Sequence, residues 1–122
     1  MREVNTSDWA AFCERVNQNE NGAAISIHKV EMNGAKLEVA KNVTFERMDF
    51  GRRDDCNDGI SVRLSGNGVT DHSILEPMRI KLMESESGTA FQSVIIEAED
   101  GVTILTFHPN IKAAWLKDLK LQ

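Results

Sequence analysis

The spacing of hydrophobic and polar positions changes near residue 23. Before that point Trp9, Phe12, Cys13 and Val16 recur at i, i+3, i+4 and i+7, which is the apolar face of a helix. Ser7 or Thr6, followed by Asp8, offers a capping oxygen and a negative charge at its start, and Gly22 can take a left-handed conformation after its last turn. A helix over residues 7–18 is expected. Beyond it the period is two, and strands are expected at residues 23–32, 35–40, 43–50, 60–65, 69–75, 78–82 and 91–107, the last span being a hairpin. Ile60, Val62 and Leu64 alternate cleanly with polar residues. Pro77 fits a strand start or an edge.

Two turn signals carry register. Asn33-Gly34 reads as a two-residue type I′ loop, which sets Met32 against Ala35, Glu31 against Lys36, Val30 against Leu37, Lys29 against Glu38 and His28 against Val39. That register gathers Met32, Val30, Ala35, Leu37 and Val39 on one face. Glu99-Asp100-Gly101 closes either as a two-residue loop or as a turn with Gly101 in a bulge, and the bulged form is preferred. It groups Ala98, Ile96 and Val94 with Val102, Ile104 and Thr106, and pairs Glu97 with Thr103. These strands are apolar on both sides, so they should be central and covered above and below. Parity breaks between Ile27 and Val30 and between Phe45 and Met48 call for bulges, which also bend sheets.

Pro109 and Asn110 are expected to end the sheet and open a second helix, with Ile111, Ala114, Trp115 and Leu119 as its stripe and Trp115 as its anchor. The fold class that follows is α+β: a strongly bent antiparallel sheet or partly open β-barrel of about seven strands, with an N-terminal and a C-terminal helix. The 122 residues fit a single domain, 1–122.

Charge and composition narrow the partners. With 14 basic against 19 acidic residues the net charge is −5, which gives no field for counterion release, so nucleic acid is an unfavoured partner. Arg47, Arg52 and Arg53 form a local basic cluster, but Asp54 and Asp55 follow at once. The first residues lack an apolar signal core and no stretch is long enough to cross a bilayer, so a cytoplasmic protein without a membrane partner is expected. Cys13 and Cys56 form no C-x-x-C pair and need no disulfide in a reducing compartment.

Candidate chemistry is sparse. Asp71-His72 combines a carboxylate with an imidazole that titrates near neutrality, but neighbours on a strand point to opposite faces, so Asp71 does not orient His72 as a dyad. No nucleophile motif is present, and Cys13 belongs to the helix's buried stripe. His28, His72 and His108 lack metal-ligand spacing. The loop Asp54-Asp-Cys-Asn-Asp-Gly59 has a cysteine at a calcium-ligand position and Ser65 where a bidentate glutamate belongs, so it reads as a polar turn. No phosphate cradle exists, and the aromatic residues fall at core spacings. No metal or cofactor is expected. Asp71, His72, Arg52 and Arg53 stand as the ligand-binding candidates, and His72 as the catalytic one.

Trp9-x-x-Phe12, His72-x-Ile74-x-x-Pro77 and Ile96-Glu-Ala-Glu-Asp-Gly101, followed by Phe107, run in an order that resembles a family of small bacterial proteins known only as a domain of unknown function. The resemblance spans about residues 9–107. It implies a bacterial origin and brings no activity, cofactor or catalytic residue. The residues themselves favour a non-enzymatic interaction or small-ligand binding module. A hydrolase using His72 with a carboxylate such as Glu76 or Asp49 is the alternative, and a structural subunit completed in a homodimer is the third reading.

Overall fold

The computed structural model describes the chain apart from residues 53–57 and 67–70, with only the backbone of Arg52 and Asp58. Eight strands form one antiparallel sheet: β1 Arg2–Val4, β2 Ala24–Glu31, β3 Lys36–Arg52, β4 Asp58–Ser65, β5 Asp71–Leu75, β6 Pro77–Glu84, β7 Ala90–Ala98 and β8 Gly101–Lys112. Their spatial order is β1-β6-β7-β8-β2-β3-β4-β5. One helix, α1 (Trp9–Glu20), follows a 3-10 turn at Thr6–Asp8, and a second 3-10 turn occupies Ala113–Leu116. About seven strands are expected from the sequence: β1 is not among them, and the spans expected at 35–40 and 43–50 run together as β3.

The N-terminal helix forms where the apolar spacing puts it, and Trp9, Phe12, Cys13 and Val16 are all buried. Its entry differs in detail: the Asn5 side chain accepts from the Ser7 amide, while Asp8 accepts from the Lys120 amide. The expected C-terminal helix is absent. Instead β8 continues through Lys112, pairing Phe91 with Ile111 and Ala90 with Lys112. Ile111 is buried by this strand, so the apolar residue that suggested a helical stripe is satisfied by extension, and Leu116 rather than Trp115 is the buried residue of the short turn.

The 17-residue β3 bends the sheet. Its first half pairs with β2 and its second with β4. A register shift between Phe45 and Arg47 lets Phe45 and Met48 both face inward, which reconciles the parity break there. The other break has a different cause. Strand β2 pairs with β8 without interruption, Ile25, Ile27 and Lys29 facing Phe107, Leu105 and Thr103, and Val30 lies on the outer face. The bulges against β2 fall in β3, where Asn42 has a φ of 50° and donates its amide to Ser26 Oγ.

Folding over at β3 encloses one contiguous core to which all eight strands and α1 contribute. Phe45 of β3 meets Phe107 of β8 edge to face at 5.0 Å, and Trp9 meets Phe50 at 5.3 Å. The sheet does not close by hydrogen bonds between its outermost strands.

Both hairpin registers differ from expectation. In the first, Val30 faces Lys36, Lys29 faces Leu37 and His28 faces Glu38, one residue away from the type I′ register. Gly34 has a φ of 88° and the Glu31 amide donates to Ala35 O, so three residues, 32–34, form the loop. This tip overhangs the core. Met32 and Leu37 are exposed, so burial of an apolar face does not dictate the register. In the second, Ala98 faces Gly101 and Ile96 faces Thr103, the two-residue closure rather than the bulged one. Val94, Ile96 and Ala98 thus share the inner face with Thr103 and Leu105. The outer face carries half-buried Ile95, Val102, Ile104 and Val30, and no described helix or strand lies over it. These strands are covered on one side, not two.

Candidate functional site

The bulge in β3 sets the side-chain pattern of the sheet's last three strands. Past it, Met48 and Phe50 face inward with Val62 and Ile60, while Arg47, Asp49 and Gly51 face outward. The cross-strand rows on that outer face read Arg47–Arg63–Asp71, Asp49–Ser61–Ser73 and Gly51–Gly59–Leu75. Ser61 and Ser73 in the second row and Gly51 and Gly59 in the third leave a floor, and the space a Cβ would occupy at Gly51 is open. The result is a shallow depression of about 410 Å³, lined by Arg47, Asp49, Ser61, Arg63, Asp71 and Ser73.

Its charged groups hold one another in place. Arg47 donates from Nε and Nη2 to the two carboxylate oxygens of Asp49, both at 2.7 Å, a two-pronged contact that fixes the guanidinium plane. Arg63 Nε reaches Asp71 Oδ1 at 3.4 Å. Two like charges opposite each other on neighbouring strands repel, and each arginine is compensated by its own carboxylate. All four side chains remain about half exposed or more. Positive and negative groups therefore alternate along the rim of the depression.

A second depression, of about 440 Å³, adjoins it across Arg47 and Arg63 and runs between α1 and β3. Strand β2 pairs with β3 only as far as Thr44, so the β3 backbone beyond needs other partners. The helix supplies them. Asn17 Nδ2 donates to Met48 O and the Met48 amide donates to Asn17 Oδ1, at 2.8 and 2.7 Å. Asn21 Nδ2 donates to Glu46 O, the Gly22 amide to Phe45 O and the Phe45 amide to Ala23 O. Two asparagines one helical turn apart thus stand in for an edge strand.

The sequence candidates separate. Asp71 lines the outer depression, whereas His72 faces inward opposite Val62. Asp49, on the outer face and bonded to Arg47, is also on the far side of the sheet from His72. The imidazole is partly buried, its Nε2 is buried with no partner among the described residues, and burial followed by Lys29 lowers its pKa, with Asp100 acting in the opposite sense. Lys29 and Asp100 are themselves paired at 2.9 Å. His28 is exposed opposite Glu38, not against Val39. Burial, with Asp49 adding to it, pushes the Cys13 thiol up to about 12, which removes it as a nucleophile. Arg53 and most of the acidic loop at 54–59, Cys56 included, lie outside the described residues, as does the side chain of Arg52.

Sequence reasoning missed Arg63, Ser61 and Ser73 as site residues, and Glu20 altogether. The alternation of β4 already showed Arg63 on the polar face. Its coincidence with Arg47 depends on the bulge and could not be counted from spacing. Glu20, a glutamate in a polar run, is 1% exposed, and neither carboxyl oxygen has a hydrogen-bond partner among the described residues.

Among the described residues no group of three or more His, Cys, Asp or Glu is placed to hold a metal, and no helix is long and apolar enough to cross a membrane. What these features define is a strand-rich, single-helix α+β protein with a polar outer surface on its bent edge. Residues 1–114 match the model of a family of unknown function, DUF5335, and the chain belongs to that family. No curated protein and no solved structure matches the chain.

Proposed function

We propose that this protein is a non-enzymatic interaction module that binds a polar, charge-bearing small ligand or a short stretch of a partner protein on the outer face of β3, β4 and β5. The observation that carries this reading is the arrangement of Arg47, Asp49, Arg63 and Asp71 around the Ser61–Ser73 floor, four orienting charges on rigid strands bordering a depression. Catalysis has less support. The one thiol described is buried and held protonated, and both Asp71 and Asp49 are directed away from His72. The net charge of −5 supports partners other than nucleic acid, and a bacterial, cytoplasmic setting belongs to the same reading.

The test is an amide-detected NMR titration with acetate, lysine and a Lys-Asp dipeptide, each to about 10 mM, a range that reveals millimolar binding. Shifts confined to residues 47, 49, 61, 63, 71 and 73, strongest for the dipeptide and lost in Arg63→Ala, support the proposal. Shifts scattered over the surface, or none in these strands with any probe, overturn it.

A further inference from the structure

Among the described residues, the hydrogen bonds that tie the C-terminal end of α1 to the sheet all lie within three residues of Glu20. Asn17, Asn21, Gly22 and Ala23 make the bonds to residues 45–48 of β3, and the Ala23 amide returns to Glu20 O. The Glu20 side chain lies under this seam, 1% exposed and without a hydrogen-bond partner for either oxygen among the described residues. A buried carboxyl can stay there neutral. Ionised, it loses its hydration and gains nothing in return, and the shortest relief is for the last helical turn to lift and carry the side chain into water.

We propose that the C-terminal turn of α1 is a proton-controlled latch: a neutral Glu20 keeps Asn17 and Asn21 clamped on the open edge of β3, and ionisation releases that edge together with the groove beside it. The groove is the depression bordered by Glu14, Gln18, Glu46, Arg47 and Arg63, so release remodels one wall of the proposed binding face. That regulatory meaning rests on the binding reading. The latch itself does not.

The charged and titratable described side chains on the surrounding elements are Cys13, Glu14 and Arg15 on α1, Asp8 ahead of it, Lys36, Glu38, Lys41, Glu46, Arg47 and Asp49 on β3, His108 and Lys112 on β8, and Lys117, Asp118 and Lys120 after the second 3-10 turn. None of them enters the balance at Glu20. Burial alone pushes its carboxyl up to about 7. Because the closed form holds the proton more tightly than the open one, closure is favoured below the ordinary glutamate range and weakens as pH rises toward neutrality.

Hydrogen exchange reads this directly. The Gly22, Phe45 and Met48 amides report the seam, and the Val94 and Leu105 amides in the central strands report the whole fold. Between about pH 5 and about pH 7, seam protection, corrected for the intrinsic rate, is expected to fall by about tenfold per pH unit while staying well below that of the central strands, so that the seam opens without global unfolding. In Glu20→Gln, which keeps the shape and cannot ionise, seam protection should be independent of pH. The same pH dependence in Glu20→Gln, a flat profile in the natural sequence, or seam protection as high as that of the central strands would each overturn the latch. Should Glu20→Gln prove poorly folded, an NMR titration of the Glu20 side-chain carboxyl in the unaltered chain decides: a midpoint near the ordinary glutamate value removes the switch. No ligand is needed, so these outcomes are independent of whether the outer face binds anything.

Discussion

Gly101 lies against Val30 so closely that a Cβ on it would stand 2.4 Å from the Val30 carbonyl oxygen and 3.2 Å from the Glu31 Cα. Both are backbone atoms of β2, which pairs with β8 through this point, and neither can rotate away. Gly101 also has a φ of 144°, a conformation other residues avoid. Gly101→Ala should therefore destabilise by at least ~2 kcal/mol, part from strain and part from displacing β2. Gly88→Ala gives the comparison, since its φ is 73° but nothing lies within 4 Å of the added carbon. Urea denaturation of the two variants should rank Gly101→Ala as clearly the worse.

Asn17 satisfies both polar groups of Met48, so truncating it leaves an amide and a carbonyl on a part-buried strand edge. Asn17→Ala is expected to cost ~2 kcal/mol on that account. Asn19 provides the control because its side chain bonds only to Arg15 O within its own helix, at the surface. Asn19→Ala should change stability by less than ~0.5 kcal/mol. Equal effects in denaturant titrations would mean that the helix is held by its apolar stripe alone and that the asparagine clamp is incidental.

How much of this was legible follows from where burial constrains the chain. The α1 stripe and the alternation of Ile60, Val62 and Leu64 were read correctly because each buries an unambiguous face. The Phe45 to Met48 parity break announced a bulge for the same reason. The two hairpin tips misled. Around Asn33-Gly34 the strands overhang the core, so nothing penalises a shifted register. At Asp100-Gly101 the preferred bulge would have put Thr103 outside, whereas β2 fixes it inside through Lys29. Neither β2's approach to Gly101 nor its reach to β8 is a local property. The outer depression was half legible for a related reason: Asp71 was in view as a candidate, but Arg47 and Arg63 become neighbours only through a long-range pairing.

The outer depression carries its own pattern of effects. Arg47, Asp49, Arg63 and Asp71 are largely exposed, so their ion pairs contribute at most ~1 kcal/mol each to stability. Arg63→Ala and Asp71→Asn should leave thermal unfolding almost unchanged while abolishing ligand-induced shifts in β3 to β5. A large loss of stability in either would reassign these residues to structural work and weaken the binding reading.

His72 supplies the last prediction. Its imidazole titrates below the ordinary histidine range, first because it is desolvated and next because Lys29 is near, with Asp100 partly opposing. The folded state thus binds the proton less tightly than the unfolded chain. Its contribution to stability is full above the unfolded histidine range and is lost as pH falls through the depressed folded value. The sign is opposite to that at Glu20, whose contribution is lost as pH rises toward about 7. His72→Gln should therefore flatten the acid side of the stability profile and leave the neutral side sloping, while Glu20→Gln should do the reverse. Thermal melts of the three proteins across about pH 4 to about pH 8 check both signs at once. If His72→Gln instead reproduced the acid limb of the unaltered chain, Asp100 would be offsetting burial and Lys29 in full, and the lowered titration of His72 would be wrong.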